Sequence, residues 1–496
     1  MSRAKNLFST PVVPPTTTVN KEGYGAYNRT MEEEYVQMLL TNTIGSTFYA
    51  DKNELLKEAH SMHDAMMKQD PLFAAKALKF ARNKGYMRLQ PTLGLAKLAS
   101  ANKELFKQAF PGVISIPSDL QDFFTMINGM GRGEGGRAIK GAAAKFMNKL
   151  SEYWAIKYNG QGRGYAVSDI IATTHPKPVN AKQQAIFAYL MGKQYDRNLL
   201  PQIDAYEALK KATNDDEIIK LIHEGRLPHE VVTGVVSKPS AKVWEAIMAN
   251  MPIFAMLRNF NTLERAGVLD KNMDLVKAKF TKDAVLNSKI LPYQLLTAMN
   301  NITNNKVKDY IRMAIEYSIE NIPDIPGETA IHLDKSGSMS GQYLMTAGIF
   351  GFGLYKKSNA EFKLFNTHVE DANASMVDSV LTQASGLRAS GGTDTGACLR
   401  DMISRKKKVD NIIIITDEQQ NAGSSFYSAL LTYRKQVNKD VKAFIIDIAP
   451  YRNSMVPPTD KNTFYIYGWS DQVLKFISSA AKGYGTMVDE IRNSQL

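Results

Sequence analysis

The sequence contains one cysteine, Cys398, among its 496 residues. A single cysteine cannot form a disulfide within the chain, which fits a reducing compartment, and Cys398 is expected to be a small buried residue at the start of a helix. No uninterrupted apolar segment is long enough to span a bilayer. The N-terminus, MSRAKNLFSTPVVPPTTT, lacks the apolar region of a secretory signal. We therefore expect a cytoplasmic protein that does not associate with membranes.

Motifs that carry common enzyme chemistry are also missing. The sequence has no G-x-S-x-G, no H-E-x-x-H and no Walker A motif. It does have G-x-G-x-x-G, at Gly131, Gly133 and Gly136, but a dinucleotide site needs a strand directly before this motif, and DLQDFFTMING is typical of a helix. Asp334 and Asp417 could form a Mg²⁺-dependent phosphatase pair, yet no nucleophile or general acid accompanies them. The sequence therefore predicts a protein without catalytic activity.

Positive charge exceeds negative charge, and the excess is concentrated in one part of the chain. Residues 1–326 carry 42 Lys and Arg against 32 Asp and Glu, whereas residues 327–496 carry 19 against 17. A cationic region joined to a nearly neutral one suggests a polyanionic partner for the first region. Charge alone leaves open the alternative of a basic, soluble surface without such a partner.

A change in pattern divides the chain at IENIPDIPGET, where Pro323, Pro326 and Gly327 interrupt regular structure. Before this link, short amphipathic segments follow one another with no convincing strand, which is typical of a helical-repeat solenoid. Asp70 followed by Pro71, for instance, predicts a capped helix start. The repeats are irregular, because no strict period is visible. Residues 1–19, which are rich in Pro and Thr, are expected to form a flexible tail.

After the link, strands and helices alternate. The predicted strands are ETAIHL, AEFKLFNTHV, NIIIIT, VKAFIIDI and NTFYIYG. This alternation predicts a parallel, doubly wound sheet. The expected fold class is therefore multidomain, with an all-α helical-repeat domain at residues 20–325 and an α/β doubly wound domain at residues 326–496. The last segment, VDEIRNSQL, is expected to form a short helix that docks back on the helical domain.

The stretch ETAIHLDKSGSMSGQ predicts a ligand site at the end of a strand. Asp334, Ser336 and Ser338 lie where the buried strand passes into a helix, and ligands bind at this edge of open α/β sheets. Further oxygen ligands are expected from Thr393 in the SGGTDTG loop and from Asp417 at the end of NIIIIT. Such hard oxygens suit Mg²⁺ or, as the alternative, Mn²⁺.

Neighbouring residues leave other interpretations of this stretch open. Asp and Ser often cap helices, so a helix cap followed by two turn residues would also fit DKSGSMS. Asp394 follows Thr393 in the glycine-rich loop. Glu418 adds a carboxylate directly after Asp417, which either tunes the affinity for metal or faces solvent.

Residues 129–177 combine glycine, basic and aromatic residues. GMGRGEGGRAIKG and KYNGQGRGY could present backbone N–H groups and cations to phosphate, and VSDIIATTHPKP adds a histidine and a lysine at a helix end. Such a mixture suits an RNA backbone with splayed bases. A mobile loop with solvated charges is the alternative. The candidate RNA-binding residues are Arg132, Arg137, Lys140, Lys157, Tyr158, Arg163, His175 and Lys177.

The C-terminal part resembles a von Willebrand factor A domain. DKSGSMS is similar to the metal-ion-dependent adhesion site of that family, and the threonine loop and the second strand-end aspartate follow in the expected order. The resemblance implies that the metal ligands are Asp334, Ser336, Ser338, Thr393 and Asp417.

Together, the two parts resemble the Ro autoantigen family, in which a TROVE module precedes a von Willebrand factor A domain. The resemblance covers about residues 20–496. The matching segments of the helical part are KFARNKGYMRLQPTLGLAKLA, GRAIKGAAAKFMNK, VSDIIATTHPKP, IIKLIHEGRLPHEVV, VWEAIMANMPIFAMLRNF and LPYQLLTAMN. It implies a ring of HEAT-like repeats closed by the A domain. By motif match it also assigns RNA contacts to Arg137, Lys140, Lys157, Tyr158, His175 and Lys177, whereas Arg132 and Arg163 rest on charge alone.

Two functions from different classes follow. The first is that of a Ro-type RNA-binding protein acting in ribonucleoprotein assembly or RNA quality control. It would bind small structured non-coding RNAs, with Y RNA-like molecules on the basic outer surface and single-stranded 3′ ends in the ring hole. A protein such as an exoribonuclease, or an acidic ligand at the metal site, would be a further partner of this expected monomer. The second is that of a metal-dependent adhesion or assembly scaffold acting through the A domain.

Overall fold

The computed structural model describes residues 13–41, 52–131, 135–160, 164–288, 290, 292–320, 322, 324–449, 451, 453–460, 462–467, 477, 481 and 487–496. Contacts divide the chain into two compact units. The first unit comprises Met1–Gln90, Leu291–Tyr293 and Ser318–Leu496, and the second comprises Pro91–Ile290 and Gln294–Tyr317. This division differs from the boundary expected near residue 325, because the first ninety residues group with the α/β part.

Helices make up most of the chain before the link. They are α1 (Met31–Thr41), α2 (Lys52–Gln69), α3 (Pro71–Asn83), α4 (Leu89–Ala101), α5 (Lys103–Val113), α6 (Pro117–Gly129), α7 (Arg137–Met147), α8 (Glu152–Tyr158), α9 (Val167–Thr174), α10 (Ala181–Leu190), α11 (Pro201–Leu209), α12 (Asp215–Gly225), α13 (His229–Val235), α14 (Ala241–Ala249), α15 (Ile253–Arg265), α16 (Met273–Lys279), α17 (Lys282–Ser288), α18 (Pro292–Asn300) and α19 (Asn305–Ile319). Within the second unit, neighbours such as α11 and α12, or α7 and α9, pack on each other. The predicted helical-repeat architecture is confirmed.

Local sequence determines where these helices begin. Asp70 caps α3 by accepting a hydrogen bond from the backbone N–H of Phe73, and Pro71 occupies the first turn. Asn102 likewise accepts from the backbone N–H groups of Glu104 and Leu105. It therefore separates α4 from α5 within the segment PTLGLAKLASANKELFKQAF. None of the helices in the described parts of the chain is both long enough and apolar enough to cross a membrane.

The α/β part contains a six-stranded sheet with the order β5-β4-β3-β6-β7-β9. Its strands are β3 (Thr329–Asp334), β4 (Glu361–Phe365), β5 (Val369–Asp371), β6 (Asn411–Thr416), β7 (Lys442–Asp447) and β9 (Thr463–Tyr467). Neighbouring strands are parallel except that the edge strand β5 is antiparallel to β4. The predicted strand AEFKLFNTHV thus contains β4 and only the first residue of β5. The other predicted strands are confirmed, because runs such as NIIIIT are buried along their whole length, as parallel strands covered on both faces require.

Helices cover both faces of this sheet, as the doubly wound prediction requires. They are α20 (Gln342–Ser358), α21 (Val380–Gly386), α22 (Ala397–Ser404) and α23 (Phe426–Gln436). One face packs Ile412 and Ile414 into a core with residues of α22 and α23. On the other face α20 approaches so closely that a Cβ on Gly351 would lie 2.6 Å from the Phe362 ring and 3.0 Å from Leu333. The buried Cys398 lies at the start of α22, as expected.

The N-terminal segment is part of the first unit. β1 (Thr18–Val19), β2 (Gly25–Asn28) and β8 (Asn453–Ser454) form a separate antiparallel sheet, in which β2 pairs with both others. Residues 13–19, which the sequence assigns to a flexible tail, therefore include a strand. The C-terminal helix α24 (Met487–Asn493) packs on α3, and Arg492 forms ion pairs with Glu32 and Asp70.

Candidate functional site

The predicted metal residues lie at the carboxyl edge of the six-stranded sheet. Asp334 is the last residue of β3, and Asp417 directly follows β6. Because β3 and β6 are neighbouring parallel strands, the two aspartates emerge side by side. Both side chains are buried. The sheet topology therefore brings together two carboxylates that are 83 residues apart in the sequence.

The Asp334 carboxylate is fixed at both oxygens. The backbone N–H of Ser336 donates to Oδ1 at 2.8 Å, and the Thr416 hydroxyl donates to Oδ2 at 2.6 Å. The hydroxyl oxygens of Ser336 and Ser338 lie 3.3 Å apart on the same loop. Thr416 is a positioning residue that the sequence analysis missed, although a threonine at the end of an isoleucine-rich strand could have indicated it.

Thr393 is held between the loops that follow β3 and β6. Gly337 donates its backbone N–H to the Gly391 carbonyl oxygen at 3.0 Å, which joins the threonine loop to DKSGSMS. The backbone N–H of Thr393 donates to the side-chain oxygen of Asn421 at 2.7 Å, and Asn421 donates its own N–H to the Thr393 carbonyl. Thr393 is itself buried. These bonds link the three loops that carry the five predicted ligands.

The Asp417 carboxylate lacks a full set of hydrogen bonds. Its Oδ1 accepts from the backbone N–H of Gln419 at 3.2 Å, whereas its Oδ2 is buried and has no hydrogen-bond partner within the described residues. Burial and the nearby charge of Asp334 raise the pKa of Asp417 to about 7, and burial also raises the pKa of Asp334. A cation between the two carboxylates would relieve both the desolvation and the repulsion.

The chemistry of the donors fits a hard cation that keeps some of its waters. No cluster of three or more His, Cys, Asp or Glu side chains suited to a metal occurs in the described ranges. The donors at this edge are instead two carboxylates together with the hydroxyls of Ser336, Ser338 and Thr393. Such an oxygen set suits Mg²⁺, which is often bound through one or two carboxylates and water.

The helix-cap interpretation of DKSGSMS does not describe the local structure. The residue that precedes α20 is Gly341, and it makes no side-chain cap. Ser336 precedes only a short 3₁₀ turn, Gly337–Met339, and its side chain does not cap that turn. Asp394 forms an ion pair with Arg400 on α22. The two serines are therefore held by their loop and are not used to start the helix.

Glu418 neither faces solvent nor joins the predicted metal ligands. It is buried, and its Oε1 lies 2.5 Å from Nη2 of Arg29 in the N-terminal segment. Its Oε2 accepts from the backbone N–H of Met455 at 2.8 Å and from the Tyr465 hydroxyl at 3.1 Å. The solvent-facing alternative for Glu418 is therefore wrong, and the side chain forms a buried ion pair for which the sequence gives no signal. Its effect on metal affinity stays a prediction.

Arg29 occupies the centre of this polar cluster. Its Nη2 also contacts Asp447 at 2.7 Å, and its guanidinium lies 4.4 Å from the centre of the Tyr465 ring. Although burial alone would lower the pKa of Arg29, the neighbouring Glu418, Asp447 and tyrosines hold it well above its ordinary value. Burial and the Glu418 carboxylate raise the pKa of Asp447. One cation thus contacts both buried carboxylates.

In the second unit, the predicted RNA-binding residues of GRAIKG lie on one short helix. Arg137 is the first residue of α7, is exposed, and lines two adjoining cavities of about 680 Å³ and 500 Å³. Lys140 is half-buried one turn further along α7. Because α7 packs on α9, this helix is also next to the one that leads to His175 and Lys177.

Lys157 lies in a third cavity, of about 830 Å³. Its ammonium group forms an ion pair with Glu230 at 3.3 Å, donates to the Tyr153 hydroxyl at 3.1 Å, and lies 5.7 Å from the Tyr158 ring centre. Burial alone would lower the pKa of Lys157, but Tyr153 and Glu230 raise it. Burial alone would raise the pKa of Glu230, but His229 and Lys157 lower it to about 2. Both charges are therefore retained at neutral pH.

The remaining predicted RNA residues are less informative. His175 ends α9 in the left-handed conformation, with φ of 46°, and both His175 and Lys177 are exposed. Arg132 and Arg163 lie outside the described residues. The sequence analysis missed the other cations and histidines that share the cavity of Lys157, although HEGRLPH contains three of them. These residues are His223, Arg226, His229 and Arg258.

Comparisons with known proteins agree with this architecture. A TROVE domain model matches residues 235–391, and a Ro60 vWA domain model matches residues 355–481. The first match spans the end of the helical part and the start of the α/β part, and the second lies within the α/β part. The resemblance to the Ro family that the sequence predicts is therefore confirmed.

Two curated proteins to which this chain is similar carry the name RNA-binding protein RO60. The protein from Deinococcus radiodurans is 23% identical over 513 residues, which cover 94% of this chain and 95% of the relative. The protein from Caenorhabditis elegans is 24% identical over 320 residues, covering 59% of this chain and 50% of that relative. The crystal structure of the Deinococcus radiodurans RO (RSR) protein aligns with a TM-score of 0.69 at 19% identity, covering 92% of this chain and all of that structure. This structural match supports the fold.

Proposed function

We propose that this Ro-type chain is a non-catalytic RNA-binding protein. Its ligands would be small structured non-coding RNAs, with Y RNA-like molecules on the basic outer surface and single-stranded 3′ ends in the hole of the ring that the Ro resemblance implies. Its role would be in ribonucleoprotein assembly or RNA quality control. The supporting observation is that cations and aromatic side chains of the second unit share cavities, as at Lys157, Tyr153 and Arg258. Two relatives named RNA-binding proteins add to this support.

The chemistry of the Lys157 cavity suits the RNA backbone at a single-stranded end. Phosphate groups bind cations and backbone donors, while unpaired bases stack on aromatic rings. The cavity offers Lys157, Arg226 and Arg258 as cations and Tyr153 and Phe254 as rings. Glu230 neutralises part of the positive charge of the cavity, because it forms an ion pair with Lys157. Lys157 should therefore add less to the affinity for phosphate than an unpaired lysine would.

Equilibrium binding tests this proposal. A labelled hairpin RNA with a single-stranded 3′ tail is titrated with the full-length protein across a salt series, beside the same hairpin with a blunt end. We expect tight binding of the tailed RNA that weakens steeply with salt, because contacts to phosphate release counterions. Arg258→Gln should reduce the affinity for the tailed RNA. Lys439→Gln, at an exposed lysine of the first unit, is the matched control. An affinity for the tailed RNA that changes neither with salt concentration nor with Arg258→Gln would contradict an RNA-binding role.

We also propose that the carboxyl edge of the sheet holds Mg²⁺, with Mn²⁺ as the alternative. The unpartnered Oδ2 of Asp417 and the proximity of Asp334 support a cation there. Ser336, Ser338 and Thr393 would supply the hydroxyl ligands. When bound, the ion would provide an open coordination position for an acidic group of a partner. Calorimetric titration with Mn²⁺ should show binding to the wild type that Asp417→Asn removes; equal binding by both proteins would exclude this site.

The alternative function is that of a metal-dependent adhesion or assembly scaffold. The carboxyl edge of the sheet also favours this scaffold function, because hydrogen bonds join the three loops that carry the proposed metal ligands. Purification at low salt separates the two functions. Copurified small RNA that is released at high salt supports the Ro-type role. Protein free of nucleic acid that also ignores added RNA supports the scaffold.

A further inference from the structure

Two adjoining cavities between α5 and α7 share Lys107, Arg137 and Ala138, and together they form what we call the α5–α7 groove. The larger cavity, of about 680 Å³, is within the size range of small-molecule binding sites. Residues from α8 and from the segment after α5 complete its wall.

The charge of this groove has one sign. The groove contains Lys103, Lys107, Arg137, Lys145 and Lys149, and none of the described residues that line it is acidic. At its rim Lys107 forms an ion pair with Glu104 at 2.7 Å, and both side chains are exposed, so this pair neutralises little of the positive charge. Such a concentration of cations attracts an anionic ligand.

The floor of the larger cavity is aromatic. The rings of Phe146 and Trp154 are stacked, with centroids 5.8 Å apart and planes inclined by only 9°. Phe146 is buried and Trp154 is half-buried at the cavity wall. A flat ring pair next to several cations offers stacking for a planar base and charge for its phosphates, as in proteins that bind single-stranded nucleic acid.

We propose that the α5–α7 groove binds one unpaired nucleotide of an RNA, with its base against Trp154 and its phosphates at Arg137 and Lys107. This inference rests on the proposed RNA-binding function and adds a specific subsite to it. A base within a duplex cannot enter, because its faces are already stacked on its neighbours. The groove would therefore favour RNAs that expose an unpaired base.

Gly141 provides a test that leaves every charge in place. It lies inside α7 and lines the cavity, and a Cβ at this position would meet nothing within 4 Å. Gly141→Leu should therefore place an apolar side chain in the cavity from an open Cβ position, and it also removes a glycine that disfavours the helix. Gly386→Leu is the matched control, because Gly386 lies in α21 of the first unit and is equally open.

The experiment uses full-length protein and two probes, a single-stranded RNA containing one 2-aminopurine and a blunt duplex of the same sequence. Wild-type protein should quench the 2-aminopurine, and Gly141→Leu should weaken single-strand binding by roughly tenfold, as expected for one lost stacked base. Duplex affinity and the Gly386→Leu variant should be unchanged.

The outcomes separate this inference from the function on which it rests. If wild-type protein binds RNA with salt-sensitive affinity but Gly141→Leu binds both probes as the wild type does, the subsite is overturned and RNA binding stands. Equal weakening for duplex and single strand would also overturn the subsite. Displacement of RNA by polyglutamate at equal charge would assign the groove to an acidic protein surface instead. If wild-type protein binds neither probe, the proposed function fails and the subsite fails with it.

Discussion

Replacing Arg29 by methionine should destabilise the first unit more than any change on its surface. Arg29 lies within a cluster of polar groups that it connects: its Nη2 contacts Glu418 at 2.5 Å and Asp447 at 2.7 Å, and its Nε donates to the carbonyl oxygen of Asn453 at 3.0 Å. Methionine fills part of the space but supplies no charge and no donors. Two carboxylates would then be left buried without their cation.

The magnitude follows from this loss. Both carboxylates have side chains that are at most 2% exposed, so water cannot replace the guanidinium. Removing one partner of a buried ion pair typically costs about 3–5 kcal/mol. Part of the cost should be recovered by adding Glu418→Gln to Arg29→Met, because one of the two uncompensated charges is then removed. The double variant should therefore be more stable than the sum of the single changes predicts.

The two units need not unfold together, so a single unfolding midpoint is not a suitable measurement. Amide hydrogen exchange in β6 and β7 reports the opening free energy of the first unit directly. Arg492→Met is the control, since Arg492 is half-exposed and its pairs with Glu32 and Asp70 should contribute about 1 kcal/mol or less. The reasoning is refuted if Arg29→Met lowers the opening free energy no more than this control does.

Three further predictions concern packing, metal and RNA. Gly351→Ala would place its Cβ 2.6 Å from Phe362 and should lower the opening free energy of the first unit, measured by hydrogen exchange, by about 1–3 kcal/mol. Gly386→Ala is the control and should cost little, because a Cβ at that position meets nothing within 4 Å. Equal costs for the two variants would contradict the packing argument. Mg²⁺ at a hundred times its Kd should raise the opening free energy of the first unit by about 2.7 kcal/mol, measured by amide hydrogen exchange in β3 and β6, and should leave Asp417→Asn unchanged, with EDTA as the control; a gain retained by the variant would point to another site. Arg137→Gln should reduce the slope of log affinity against log salt by about one if this side chain contacts a phosphate. An unchanged slope would remove it from the interface.

Strands and their order of appearance were predictable because burial on both faces leaves a strong signal. Four consecutive isoleucines in β6 have no alternation that a half-exposed strand would show, and all of them are buried. Short edge strands carry no such signal. β5 has only three residues, Val369–Asp371, of which none is buried, so no pattern in the sequence separates it from β4. Its antiparallel direction depends on a tight turn that brings the chain back beside β4.

The candidate metal site was predictable for a different reason, namely that its residues follow strands. Asp334 and Asp417 come directly after buried apolar runs, and parallel pairing of these runs places the two ends together. Thr416 and Asn421 were missed because their roles depend on hydrogen bonds between loops, at 2.6 Å to Asp334 and at 2.7 Å to Thr393. Such distances depend on loop conformation, which composition does not determine.

The N-terminal segment shows where pattern reasoning stops. Arg29 and Glu418 are 389 residues apart, and nothing near either of them indicates the other. Arg29 carries no motif that would single it out in the sequence, and Glu418 was expected either to tune the affinity for metal or to face solvent. The structure brings them together because β2 pairs with β8, so that the N-terminal strand adds to the segment before β9. Burial normally disfavours a charged side chain. The Arg29 guanidinium stays charged inside the unit because it is paired with the carboxylates of both Glu418 and Asp447. The segment before α1 is therefore a structural component of the α/β unit, and its deletion should expose the Glu418 and Asp447 carboxylates that Arg29 now compensates.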